Sequence, residues 1–219
     1  WIDQSSGYTS MRFMAIWMRH PDTVYMSGND GLILRTTNGG SNWVTVNSEA
    51  TLQLWGLYFI NQQTGFTAGS TGRIMKTTNA GLNWFNLSSP TSTSLSCIYF
   101  VNENTGYISG SAIALKTTNQ GASWVNLNAP YISAFENFRD IYFFDTENGL
   151  YVSDAGRILK TSNGGTNWVL MNSNTTQSLF GVYFINQNTG YACGNAGAIV
   201  MTTDNGNNWS VQSSPLNEI

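Results

Sequence analysis

The residues around Asp140 are the first place in this 219-residue chain to look for chemistry. Cleaving a glycosidic bond takes two carboxyl groups roughly 5–10 Å apart, one to protonate the leaving oxygen and one to attack or to activate water. Asp140 is the best candidate for one of them, next to Arg139 and just after the segment Ala129-Pro130-Tyr131-Ile132-Ser133-Ala134-Phe135-Glu136. Tyr131, Phe135, Glu136, Arg139 and Asp140 together suit a sugar or a peptide, offering aromatic faces to stack on and charged groups to orient polar ones. For Asp140 a partnered polar residue plugging the channel is the reading favoured over a catalytic one, so the group is carried as a binding constellation and no catalytic residue is assigned. His20 stands alone before Pro21 and reads as solvated. Cys97 and Cys193 match no metal-ligand spacing and are too few for a disulfide framework, so neither a metal nor a cofactor is expected.

The elements that carry these residues come from a repeat. The segment Thr36-Thr37-Asn38-Gly39-Gly40-Ser41-Asn42-Trp43 returns as TTNAGLNW, TTNQGASW, TSNGGTNW and TTDNGNNW, ending at Trp84, Trp124, Trp168 and Trp209. The intervals of 41, 40, 44 and 41 residues match one four-stranded propeller blade. Upstream of each copy lies a second pattern, clearest in LWGLYFINQQTGFTAGSTGRIMK and LFGVYFINQNTGYACGNAGAIVM. In the second copy Leu54 to Phe59, Phe66 to Gly69, Ile74 to Thr77 and Trp84 to Leu87 read as strands, and nothing reads as a helix. The first of these is apolar at nearly every position, which predicts a sheet buried on both faces, as between two neighbouring blades. The chain is therefore expected to be all-β, one propeller domain over 1–219 with about five four-stranded blades, near 13–46, 54–87, 95–127, 138–171 and 179–212. Asp140 falls at a position held by Gly56, Cys97 and Gly181 in other copies, on the innermost strand facing the channel.

In the Thr-Thr-Asn-x-Gly-x-x-Trp motif the Asn or Asp side chain bonds nearby backbone, Gly supplies positive φ and Trp anchors the returning strand. The structural set is Asn38, Gly40 and Trp43; Asn79, Gly81 and Trp84; Asn119, Gly121 and Trp124; Asn163, Gly165 and Trp168; and Asp204, Gly206 and Trp209. This motif resembles the Asp-box, or bacterial neuraminidase repeat, although Asp204 alone keeps the acid. With its upstream pattern the whole period most resembles the photosystem II stability/assembly factor-like propellers and their secreted bacterial relatives. That resemblance implies a propeller, and for activity it implies several things at once, because Asp-boxes occur in sialidases, xyloglucanases, receptors and non-catalytic propellers. A sialidase would need an arginine cluster, yet Arg35, Arg73 and Arg157 sit at repeating positions and no motif gathers Arg12, Arg19 and Arg139. The assembly factors bind a photosystem subunit through a basic patch, which carries over poorly to a chain of net charge -3.

Charged residues make up only 10% of the chain, so its solubility rests on neutral polar groups, a surface that tolerates close packing and suits an extracellular or cell-surface protein. Nucleic acid is not an expected partner of an acidic chain, and no apolar run reaches the length of a membrane span. Trp1 to Ser6 resembles Trp209 to Ser214, which makes 1–6 a surplus outer strand. It is accommodated by a self-contained five-blade ring with a frayed strand, by a larger ring of which this is a part, or by pairing between chains. The function expected is a non-enzymatic, secreted module for binding a protein partner or for structural self-assembly, with a repeating unit of a surface polymer as one form. The alternatives are a carbohydrate-binding or glycoside-hydrolysing propeller and an assembly factor for a membrane complex.

Overall fold

The computed structural model describes residues 7, 11–46, 48, 50–127 and 136–213. These form five four-stranded antiparallel sheets, each in chain order and each one period of the repeat. The first blade is β1 (Phe13–His20), β2 (Thr23–Gly28), β3 (Ile33–Thr36) and β4 (Val44–Val46). The second is β5 (Leu54–Phe59), β6 (Gly65–Gly69), β7 (Ile74–Thr77) and β8 (Phe85–Asn86). The third is β9 (Leu95–Phe100), β10 (Gly106–Gly110), β11 (Ile113–Thr117) and β12 (Val125–Asn126). The fourth is β13 (Phe138–Phe143), β14 (Gly149–Ser153), β15 (Ile158–Thr161) and β16 (Val169–Met171), and the fifth is β17 (Leu179–Phe184), β18 (Gly190–Gly194), β19 (Ile199–Thr202) and β20 (Ser210–Val211). The strands of the second copy fall where the sequence placed them, except that the outer strand is shorter. The only helical turns among the described residues are three-residue 3-10 turns between second and third strands, such as Ser70–Gly72. The candidate surplus strand at 1–6 lies outside the described residues, as do Tyr131, Phe135 and the Arg19 side chain.

The hydrophobic core lies between the sheets, in four successive layers. Inner strands β1, β5, β9, β13 and β17 pack one on the next, and each step repeats one interlock. From the second blade on, a phenylalanine at the end of the inner strand packs toward the preceding blade: Phe59 meets Tyr25 at 4.3 Å between ring centroids, Phe100 meets Phe66 at 4.6 Å, and Phe143 meets Tyr107 at 3.6 Å. The same rings lie edge-on to the motif tryptophans Trp84, Trp124 and Trp168, an arrangement Phe184 and Trp209 share. The residue before each phenylalanine points the other way. Tyr58, Tyr99 and Tyr142 donate to the carbonyls of Phe100, Phe143 and Phe184 in the following blade. Lys76, Lys116 and Lys160 likewise donate to turn carbonyls of the next blade, at Gln120, Gly164 and Asn205.

The motif turns are built alike in all five blades. In the second, Thr77 Oγ1 donates to Asn79 Oδ1 and accepts from the Gly81 amide, while Asn79 Oδ1 also accepts from the Asn83 amide. One side-chain oxygen does this work, which is why Asn replaces Asp in four copies without changing the turn. Gly81 has φ +74°, and a Cβ there would lie 2.7 Å from the Tyr25 ring, so positive φ and a tight approach coincide.

The expectation of burial on both faces holds for the three middle blades. It fails at the two ends, because successive-blade packing does not continue from the fifth sheet to the first: Ile16 and Met18 on β1, and Tyr183, Ile185 and Tyr191 on the last blade, are exposed. Cys193, at a repeat position where Ala68 and Ser109 are buried, is exposed for the same reason.

Candidate binding groove at the channel mouth

Each inner strand carries a β-bulge at the same place. Phe13 pairs with Gly28 and Ala15 with Ser27, which leaves Met14 as the extra residue, and the same register shift leaves Trp55, Ser96, Arg139 and Phe180 extra in the other blades. A bulge bends its strand and re-aims its side chain. Here all five are turned to one place, where they line an open cavity of about 530 Å³ together with Ser94, Ser111 and Asn137. The flanking positions vary less: Leu54, Leu95, Phe138 and Leu179 before the bulge are buried and Phe13 is half-buried, and small residues follow the bulge except at Asp140. A constant scaffold thus presents five chemically different side chains at the channel mouth.

The groove combines apolar faces with a cation. Trp55 is half-buried and Phe180 exposed, and the Arg139 guanidinium lies over the Phe180 ring, 5.5 Å from its centroid. Arg139 is steered by Asp154, which accepts from its Nε at 2.8 Å, while Asn137 donates to the same carboxylate. These donors hold the Asp154 carboxyl below its ordinary value against the opposing effect of partial burial. A second cavity, about 420 Å³ and lined by Trp17, His20, Tyr25 and Arg35 among others, lies between the first two blades only.

Asp140 and Glu136 are turned away from ligand chemistry. Asp140 lies one residue beyond the bulge, where its Oδ1 accepts from the Ile141 amide and the Cys97 thiol and its Oδ2 accepts from the Val182 amide at 3.0 Å. It bridges three blades. Burial raises its carboxyl above 3.8, opposed by those hydrogen bonds. The same position must be small in the second blade, since a Cβ on Gly56 would come within 3.0 Å of the Ile98 amide nitrogen. Glu136 is buried, accepting from Ser153 Oγ at 2.6 Å and from Arg157 at 2.7 Å. Of the constellation read from sequence, Arg139 alone lines the groove; Asp140 and Glu136 hold blades and loop together, and Tyr131 and Phe135 lie outside the described residues. Sequence reasoning missed Met14, Trp55, Ser96 and Phe180. The available signal was a repeat position that varies in chemistry directly after one that is always a large apolar residue.

Among the described residues no group of three or more His, Cys, Asp or Glu is placed to hold a metal ion, and no helix is long and apolar enough to cross a membrane. The family model described as photosynthesis system II assembly factor YCF48 matches residues 44–168 and 131–218. No curated protein matches the sequence. Among solved structures, the chain is similar to YCF48 bound to D1 peptide, with a TM-score of 0.73 at 18% identity over 95% of this chain and 70% of that one. It is similar to the GH74 enzyme of Niastella koreensis, with a TM-score of 0.75 at 16% identity, over 91% of this chain but only 38% of the enzyme. The WD40 β propeller domain of Doa1 gives a TM-score of 0.70 at 13% identity, over 94% of this chain and 72% of that one.

Proposed function

Because the chain belongs to the family of the photosynthesis system II assembly factor YCF48, we propose that it is a non-enzymatic propeller that binds an extended segment of a protein partner in the groove at its channel mouth. The carrying observation is the ring of bulge residues, in which Met14, Trp55 and Phe180 supply apolar contact while Arg139, Ser96, Ser94, Ser111 and Asn137 supply polar groups. Apolar anchors with a few convergent polar groups are what a peptide side chain and its backbone require. The D1 peptide bound by a similar protein supports this choice of ligand class. Hydrolysis is disfavoured by the use made of the carboxylates nearest the groove: Asp140 is committed to three donors and Asp154 to Arg139. We place the protein outside the cytoplasm, at the cell surface or secreted, on the strength of a surface made soluble by neutral polar groups with only 10% charged residues.

Random peptide display selected on the purified chain, with a glycan array probed in parallel, tests the reading. Peptides sharing a large apolar residue should be enriched, and their binding should be lost in a Trp55→Ala, Phe180→Ala double variant. Aromatic faces also stack on sugars, so glycan binding lost in the same variant, with no peptide enriched, would assign the groove to carbohydrate. Turnover of a bound glycan would overturn the non-enzymatic reading.

A further inference from the structure

The interface between the first two blades departs from the other three at the side chains that bond across it. Strand register makes Trp17 the counterpart of Tyr58, Tyr99 and Tyr142. It makes Arg35 the counterpart of Lys76, Lys116 and Lys160. Trp17 has no hydroxyl to donate to the next blade, and the Ala80 carbonyl, which a lysine would bond, is taken by the Tyr25 hydroxyl at 2.8 Å. A third departure is His20, at the turn position of Asn61, whose Oδ1 accepts from the Gln63 and Thr64 amides. All three replacements, Trp17, His20 and Arg35, line the cavity of about 420 Å³ between these blades, at the end of β1 away from Met14 and the groove.

The geometry points to a site for a carboxylate-bearing sugar, a uronic acid unit of an acidic polysaccharide. Arg35 supplies the cation: its buried Nε has no partner, and no carboxylate of the described residues pairs with the guanidinium, which lies 5.7 Å from the Tyr25 ring centroid. No Asp or Glu is among the described residues lining the cavity; Asp22, on the same turn, sits against His20 instead, 3.5 Å from its Nδ1. A guanidinium without a carboxylate partner matches an incoming carboxylate with two parallel hydrogen bonds. Tyr25 and Phe59 are 2% and 3% exposed and close the floor, whereas Trp17 is only half-buried and offers its ring to a flat apolar face. Gln62 and Gln63 are exposed at the rim, and their amides, with the Thr23 hydroxyl, both donate and accept. A sugar ring, with one apolar face and hydroxyls around its edge, uses all of these groups; an aromatic acid leaves the amides unmatched, and a free phosphate leaves Trp17 without contact. This site is separate from the groove and does not depend on what the groove binds.

Calorimetric titration of the chain with tri-galacturonate tests the inference. The comparison probes are its methyl ester, which keeps the rings and caps the carboxylates, and acetylated, amidated tri-glutamate, which keeps three carboxylates without the rings. Tri-galacturonate should bind, more weakly as salt is raised, and both comparison probes should bind at least about tenfold more weakly, as expected when a charged hydrogen bond or the ring contact is lost. The informative variant is Trp17→Tyr with Arg35→Lys, which installs the pair that the other three interfaces already use. It should weaken tri-galacturonate binding at least about tenfold without lowering the melting temperature. Absence of tri-galacturonate binding to the unaltered chain overturns the proposal. So does equal binding of the methyl ester, which means that no carboxylate is read, or equal binding of tri-glutamate, which means that the cavity takes an acidic peptide. Binding undiminished in a folded double variant overturns it as well, by placing the sugar elsewhere on the surface.

Discussion

Asp204 and Asp140 are both aspartates of the same fold, yet their surroundings push them in opposite directions, which gives the protein two pH limbs of opposite sign. At Asp204 the Asn208 side chain and amide, followed by Thr202, lower the carboxyl to about 2. Stability drawn from it is complete above its ordinary value of 3.8 and is lost as pH falls through about 2. Asp140 is raised by burial, so the folded chain binds its proton more readily than the unfolded one and gains stability as pH falls from that raised value toward 3.8. Thermal unfolding across pH should therefore show a smaller lower limb in Asp204→Asn, the remainder coming from the lowered carboxyls of Asp145 and Asp154, and should lose its upper limb in Asp140→Asn. Unchanged limbs would contradict the assignment. Thr77 makes a second residue-level case, since its hydroxyl is the acceptor for the buried Gly81 amide. Thr77→Val keeps the shape and orphans that amide, and should lower unfolding free energy by about 2 kcal/mol in urea titration.

The motif turns and the inner strands differ in how openly the sequence declares them. Threonine, asparagine, glycine and tryptophan at fixed offsets determine the turn through local bonds, so all five turns were legible, whereas the outer strand after the second turn is shorter than the sequence suggests. The bulges were not, because a bulge is a mismatch of register between two strands and no single strand encodes it. That is why Arg139 was noticed for its charge whereas Met14, Trp55, Ser96 and Phe180, at the same structural position, were not. Glu136 was misleading for the opposite reason: a carboxylate in a loop reads as available, and only the fold brings Arg157 and Ser153 onto it. This pair, a buried carboxylate with a half-buried guanidinium, ties the approach to β13 to the start of β15. Arg157→Ala should destabilise the fourth blade by about 3 kcal/mol because it strands the Glu136 charge. Glu136→Gln should cost less, and equal losses in calorimetry would show that charge is not what matters there.

Taken whole, the described residues form an arc of five sheets whose core is divided into layers between blades, so their stability is a chain of nearest-neighbour steps and the end blades are the weakest points. Five blades were countable from the period, but whether the ring closes was not, since the repeat looks the same in an open arc and a closed one. The exposed faces of β1 and of the fifth blade settle that the described residues form an open arc. An arc still positions a groove, because the five bulges point to the channel mouth from a scaffold of buried neighbours. Substitutions at the bulges should therefore change binding and leave folding alone. The most direct measurement is an alanine scan of Met14, Trp55, Arg139 and Phe180 by calorimetric titration with one peptide selected on the unaltered chain, with the melting temperature of each variant recorded alongside. Affinity falling about tenfold or more at Trp55, Arg139 or Phe180, with melting unchanged within about 2 °C, is the result expected of a groove whose contacts carry the binding. Affinity indifferent to all four positions would contradict the groove as the site and, with it, the function assigned to this propeller.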